Sequence, residues 1–230
     1  MAMTNAQIIA HACRIAKCPG YTVLAGQLYN SILNDLCQTY DFEIARKLFS
    51  FNLSPALGSG PYPLPADWLR GKDRSIFYVI SGTPYNMINI SIEEFDQQSQ
   101  TAGLSGYPEA YTTDMSQTPP VMYVWQPAGG SYPMTCRYYA MMPDIVSPEA
   151  STAVPWFQNA QYLIEKLAAA LMGVTADQRH AQYLAMAANT LREFLTMKDD
   201  TEGRAKQVML DRRAFNRKAQ LPSTKIQGPF

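Results

Sequence analysis

His11, Cys13, Cys18 and Cys37 carry the nitrogen and sulfur donors that zinc prefers, and all fall within one short stretch. Their spacing argues against a shared metal. Residues two apart on a helix point to different sides, so His11 and Cys13 diverge, and the series matches no common zinc pattern. Asp35, Asp41 and Glu43 come nearest to a carboxylate pair for acid–base work, yet acids on a helix ordinarily form a solvated face. His180, like His11, sits in a helical segment among polar residues and reads as a surface or boundary histidine. No G-x-S-x-G, Walker A or G-x-G-x-x-G run is present. "GSGPYPLP" (58–65) has glycines, but prolines follow where a phosphate-binding helix would begin. No catalytic residue, cofactor or metal is expected.

The elements that would hold these residues are helical at both ends of the chain. Thr4 with Gln7 makes a capping box, followed by a stripe of Ile8, Ile9, Ala12, Ile15 and Ala16. "CPGY" (18–21) ends that helix. Leu24, Leu28, Ile32, Leu36, Tyr40 and Ile44 predict a second helix from Thr22 to about Leu48. A third is expected after Pro155, with Phe157, Ala160, Ile164, Leu167, Ala168 and Leu171 as its stripe and Gly173 at its C-terminal cap. Thr175 and Gln178 predict a capped fourth helix that buries Leu184, Ala187, Ala188, Leu191 and Leu195. Packed together, residues 1–50 and 151–200 predict a four-helix bundle.

Residues 51–150 differ in kind. They hold 12 of the 16 prolines and nine of the 14 tyrosines. Short β-like runs at 75–80, 86–92, 121–126 and 134–141 alternate with turn signals, and Ser91 with Glu94 predicts a short capped helix between strands. The expected fold class is α+β, mainly α: a four-helix bundle with an inserted small antiparallel β module at 51–150 and an extended basic C-terminal arm at 201–230. Within the module, "YPEAYTTDMSQTPPVMYVWQPAGGSYP" (107–133) supports two readings. One is a small core with rigid loops. The other is a contact surface formed by Tyr107, Tyr111, Met115, Tyr123 and Trp125, since aromatics and Met are enriched at interfaces. Stacking on nucleic acid is disfavoured, because almost no Lys or Arg is interleaved.

Charged residues make up only 17% of the chain, below the usual quarter, which suggests a surface that meets other protein. Net charge is zero but unevenly spread. From Gly203 onward stand seven basic residues and one acid, leaving 12 basic and 18 acidic residues before it. The start lacks the basic and apolar regions of a signal peptide, no apolar run approaches a membrane span, and the four sparse cysteines read as reduced, buried thiols of a protein made in the cytosol.

Three stretches carry a resemblance: "AGQLYNSILNDLCQTYDFEIARK" (25–47), "YPLPADWLR" (62–70) and "YPEAYTTDMSQTPPVMYVWQPAGGSYPMTCRYYAMMPDI" (107–145), leading to "VPWF" (154–157). They resemble the head-to-tail adaptor (connector) proteins of short-tailed bacteriophages, the group of tail accessory factors and tail tubular protein A. The resemblance implies a non-enzymatic virion protein at the head-to-tail interface, made in the host cytoplasm. It implies a homo-oligomeric ring, a dodecamer, that binds the portal protein and a tail (nozzle or hub) protein, with room for tail fibres as further partners, around a lumen that passes genomic DNA during ejection. The C-terminal arm would then lie along the portal. Phe215, Leu221, Ile226 and Phe230 would serve as apolar anchors, and Arg212, Arg213, Arg217, Lys218 and Lys225 would meet acidic surface. The aromatic loop of the β module would dock tail components. Two rivals stand beside this reading: a DNA-binding structural protein that uses the basic tail, and a tail-associated cell-wall hydrolase, for which the carboxylates are too scattered.

Overall fold

The structure, a computed structural model, describes residues 2–100 and 105–201. Helix α1 (Asn5–Ile15) begins at the expected capping box, with the Thr4 side chain accepting from the Gln7 N–H and the Gln7 side chain accepting from the Thr4 N–H. Its next two N–H groups are satisfied from far along the chain, Asn5 donating to the Ala153 carbonyl and Ala6 to that of Ser151. It ends in a Schellman turn: the Cys18 N–H bonds the Cys13 carbonyl at 2.9 Å, the Lys17 N–H bonds that of Arg14, and Lys17 takes φ 56°.

Helix α2 (Thr22–Thr39) buries Ala25, Tyr29, Ile32, Leu33, Leu36 and Cys37. Its buried face is thus centred about one residue beyond the expected stripe, and Leu24 and Leu28 lie at its margin. Gly26 admits a close crossing by residues 148–149; an added Cβ would stand 2.8 Å from the Glu149 carboxylate and 3.0 Å from the Pro148 ring. Asn30 holds that returning segment like a strand partner, donating to the Ile145 carbonyl at 3.0 Å and accepting from its N–H at 3.2 Å.

The second helix does not run on to Leu48. After a 3₁₀ turn at Glu43–Ala45 the chain becomes strand β1 (Arg46–Leu53), and Ile44 and Leu48, expected on the buried stripe, are 53% and 62% exposed. Phe49, Phe51 and Leu53 face inward at a period of two, and pairing along the whole of β8 outweighs the residual helical pattern. Strands β2 (Tyr62–Pro63), β3 (Trp68–Ile80), β4 (Thr83–Asn86) and β5 (Ile88–Asn89) lead to helix α3 (Ile92–Ser99), which carries the expected Ser91–Glu94 capping box. Strands β6 (Ala110–Asp114), β7 (Val121–Trp125) and β8 (Tyr132–Ala140) follow.

These eight strands form two four-stranded sheets, ordered β1-β8-β3-β4 and β2-β7-β6-β5. The expectation of a helix-dominated four-helix bundle with a small antiparallel insertion is therefore overturned. The protein is α+β: the described residues form five α-helices and two sheets that enclose a core of their own, and β5–β6 is a parallel pair. That core holds Leu53, Tyr62, Trp68, Ile76, Tyr78, Tyr111, Met122, Val124, Met134, Cys136 and Tyr138. Non-local strand pairing accounts for the error, because β1 and β3 both pair with β8, distant in sequence.

Helix α4 (Ala160–Val174) starts later than Pro155 suggests. Asn159 is its N-cap, its side chain accepting from the Tyr162 N–H at 3.0 Å, while Phe157 precedes the helix yet is buried. Thr175 does not cap the next helix. Its hydroxyl turns back to the Leu171 and Met172 carbonyls, and Ala176 at φ 54°, rather than Gly173, takes the left-handed position of a second Schellman turn. Helix α5 (His180–Thr201) packs chiefly on α4. Of its expected buried face, Ala187 and Leu191 are buried, Leu195 is half-buried, and Leu184 and Ala188 are exposed. The helical core joins α1, α2, α4 and α5 through Ile8, Ile9, Tyr29, Leu33, Leu163 and Leu167. A small cluster of Cys37, Ala45 and Tyr139 links it to the first sheet, where the Cys37 thiol donates to the Ala140 carbonyl.

Candidate functional site

The groups with chemical potential are held in structural bonds. His11 is exposed on α1, and His180 places Nδ1 2.8 Å from the Ala169 carbonyl, tying α5 to α4. Cys13 and Cys18 meet across the Schellman turn, and burial pushes both thiols up from their ordinary range, away from the reactive thiolate. Burial pushes Cys136 up to about 12. Among the described residues no group of three His, Cys, Asp or Glu side chains is placed to hold a metal. Asp35 is exposed, Glu43 pairs with Arg46 at 3.1 Å, and Asp41 accepts from Arg70 Nε at 2.9 Å. Arg70 also donates to the Gln38 carbonyl at the end of α2 and lies 5.5 Å over the Tyr139 ring, so it fastens helix to sheet. Asp67 receives the Lys47 ammonium and the Tyr138 hydroxyl. Partial burial pushes its carboxyl up, but those two bonds and the Lys47 charge outweigh it and hold the group below its ordinary value.

The five aromatic and Met positions of the expected contact surface are distributed over four places. Tyr111 is 4% exposed and belongs to the core between the sheets. Tyr123 and Trp125 lie half-buried on the opposite face of β7, where the Tyr123 ring meets Phe95 of α3 at 5.6 Å and Gln117 donates to its hydroxyl. Met115 is exposed in the turn after β6. Tyr107, 58% exposed, opens a chain of rings that the sequence pattern does not announce: Tyr107 to Tyr132 at 5.8 Å, Tyr132 to Tyr78 at 5.4 Å, and Tyr78 stacked on Tyr85 at 5.6 Å. The available signal is the hairpin at Ser81–Gly82, which sets Tyr78 directly opposite Tyr85. The positions expected to meet the portal, Arg212, Arg213, Phe215, Arg217, Lys218, Leu221, Lys225, Ile226 and Phe230, lie outside the described residues, as does the arm from residue 202.

Two further apolar surfaces emerge. One is α5, which exposes Leu184 on one side together with Ala181, Ala185 and Ala188. The other is a groove of 490 Å³ where the 3₁₀ turn, the 156–158 segment and the C-terminal part of α5 converge. Its floor is a set of edge-to-face rings: Phe42 with Trp156 at 5.6 Å, Phe42 with Phe157 at 5.4 Å, and Phe157 with Phe194 at 5.1 Å. No helix among the described residues is long and apolar enough to cross a membrane.

The chain's family is the SU10 adaptor proteins: that family's sequence pattern matches residues 3–212, and the chain belongs to it. A search of curated proteins found no match. The family is one of phage structural adaptors, so this is a structural virion component that meets other virion parts, and it is not an enzyme.

Proposed function

We propose that this chain is a head-to-tail adaptor of the connector kind, akin to those of short-tailed phages, which assembles as a ring, a dodecamer, between the portal and the tail and lines part of the DNA conduit. The observation that carries the reading is the outer side of α5, in a chain that belongs to an adaptor family and has few charged residues. A two-turn apolar side left exposed among the described residues suits a heterologous contact, repeated and closed by rotation. Residues 1–50 and 151–200 would form the ring wall, 51–150 the outward module, and 201–230 the arm. Arg212, Arg213, Phe215, Arg217, Lys218, Leu221, Lys225, Ile226 and Phe230 would engage the portal. The surface around Tyr107 and Met115, bordered by Tyr123 and Trp125, would receive the tail protein, with Tyr111 supporting it from beneath.

The test is to mix the protein with portal and weigh the complex. A stoichiometric ring on the portal is expected, and Leu184→Asp should abolish the ring while the subunit stays folded. A single copy bound per portal, or a Leu184→Asp protein that still forms rings, counts against the reading. Tail recruitment is separable: Tyr107→Ala on a portal-bound ring should weaken capture of the tail protein, since an interface aromatic often contributes about 2 kcal/mol or more.

A further inference from the structure

We infer that the aromatic groove on Phe42, Trp156, Phe157 and Phe194 is the seat of the chain's own segment Val208–Leu210, which anchors the root of the C-terminal arm to the subunit that bears it. The groove lies where α5 ends. Met197, 69% exposed, stands on its rim four residues before Thr201, the last described residue, so about 6 Å of helix separates the two. A further 29 residues follow, and Val208 is seven residues on. Seven residues span up to roughly 24 Å, ample for a chain that reverses after α5 to reach back over its last turns. Gly203 supplies the residue type that permits such a reversal.

The composition of the segment suits the site. Val208, Met209 and Leu210 are three adjacent apolar residues in a stretch otherwise polar and basic, and Met adapts to aromatic walls. Charge points the same way. Residues 202–230 hold seven basic and two acidic side chains, against 12 and 17 in residues 1–201, so a segment of net +5 hangs from a body of net −5. Glu43 stands on the groove rim, and Arg212 and Arg213 follow Leu210 closely. The family pattern also runs to residue 212, so it takes in Val208–Leu210 and leaves out most of the basic tail. A tethered segment needs little intrinsic affinity, because a short linker supplies an effective concentration in the millimolar range. The contact is internal to one chain and does not depend on the portal reading.

The test is disulfide trapping in the full chain. Ile44, exposed on the groove wall, is changed to Cys together with Met209→Cys; the four native thiols are buried and do not compete. Mild oxidation of the free protein should give an intrachain bond, read as a faster-migrating monomer, about tenfold faster than in the Ile44→Cys/Ser223→Cys control. In parallel, changing Val208, Met209 and Leu210 to Ser should uncover the groove and raise binding of an apolar fluorescent dye. Trapping no faster than the control overturns the inference. Cross-links that run only between chains assign the groove to a second copy and overturn it too. Shielding of the single Ile44→Cys thiol from alkylation only after portal is added assigns the groove to the portal and likewise overturns the inference.

Discussion

The helical core packs mostly aliphatic side chains such as Ile8, Ile9, Leu163 and Leu167 with Tyr29, Phe42, Phe157 and Tyr162 among them, whereas the core between the sheets is built on Tyr62, Trp68, Tyr78, Tyr111 and Tyr138. The aliphatic packing of the first is non-directional, since any residue of suitable volume on the right stripe contributes, and its one buried tyrosine bond runs from the Tyr29 hydroxyl to Asn5 at 2.9 Å among the described residues. The second is directional, because a buried tyrosine must place its hydroxyl. Tyr62 donates to the Gly58 carbonyl at 3.0 Å and accepts from the Ser54 N–H at 3.2 Å, fixing the 54–60 loop, and Tyr138 donates to Asp67. A core of this sort positions loops as well as strands, which is what a module with a docking surface requires.

The sharpest way to break the comparison is to cut a cavity in each core. Leu167→Ala and Met134→Ala both truncate side chains with no exposure, and each should cost about 2–5 kcal/mol of unfolding free energy. Denaturant titration followed by far-ultraviolet helix signal and by tryptophan fluorescence tells the two apart. Trp68 lies in the sheet core and Trp156 beside the helical one. Leu167→Ala is expected to move the helix signal at least as much as the fluorescence. An effect under about 1 kcal/mol for either variant would show that its core had been misjudged.

A smaller effect is expected at the one buried carboxylate of the helical layer among the described residues. Glu165, 4% exposed on α4, accepts from Gln161 at 2.6 Å and from the Thr190 hydroxyl of α5 at 2.8 Å, a second polar cross-tie between these helices beside that of His180. Glu165→Ala leaves those partners unpaired and should cost roughly 1–3 kcal/mol. Glu165→Gln keeps the acceptor and should cost less than half as much. Equal losses in the two variants would mean that the charge itself, not the acceptor, holds α5 on α4.

Alkaline titration probes the tyrosines of both regions. Burial raises Tyr162 of the helical core to about 12; burial and the bond to Asp67 raise Tyr138 of the sheet core to about 12. A phenol whose folded value lies above its unfolded value of about 10 contributes stability that is whole below about pH 10 and lost as pH climbs through the folded value. Tyr162→Phe and Tyr138→Phe should each blunt the alkaline fall by roughly 1–2 kcal/mol. At neutral pH only Tyr138→Phe should cost stability, since its hydroxyl has a bond to lose. A neutral-pH loss in Tyr162→Phe alone would reverse the contrast between the two cores.

What could be read in advance follows the same division. The Thr4–Gln7 and Ser91–Glu94 boxes are local, and both form. The stripe of α1, and that of α4 from Ile164 to Leu171, are read correctly because a period of 3.6 within one helix is also local, while Phe157 falls before the helix. The errors are non-local. Leu48 fits a helical stripe, and only the presence of β8 makes Arg46–Leu53 a strand. Thr175 and Gln178 satisfy a capping pattern, yet the Thr175 hydroxyl goes back to α4. Tyr111 and Tyr123 look alike in sequence; β6–β7 register sends one to the core and the other to the α3 side. The aromatic groove draws Phe42, Trp156, Phe157 and Phe194 from three separate segments, so no local pattern announces it.

The smallest effect is expected where the sheet layer is fastened by charge. Lys47 of β1 meets Asp67, which also accepts from Tyr138 of β8 at 3.0 Å. Both ionic partners are partly open to water, the Lys47 side chain at 49% and that of Asp67 at 32%, so Lys47→Ala should cost less than about 1 kcal/mol. The pH dependence carries the sign. The Asp67 carboxyl is held below its unfolded value of about 3.9, so its contribution is whole above about pH 4 and fades as pH falls through the folded value. Lys47→Ala and the parent protein should thus differ slightly near neutral pH, and the difference should shrink in acid. High salt should shrink it at any pH, since exposed pairs are screened. The Tyr138 bond is shielded better, so Asp67→Ala, which removes both bonds, should cost more than Lys47→Ala near neutral pH and keep part of that cost in salt. If salt erases both losses alike, the tyrosine bond contributes nothing beyond charge, and the case for a directional sheet core loses its Asp67 corner.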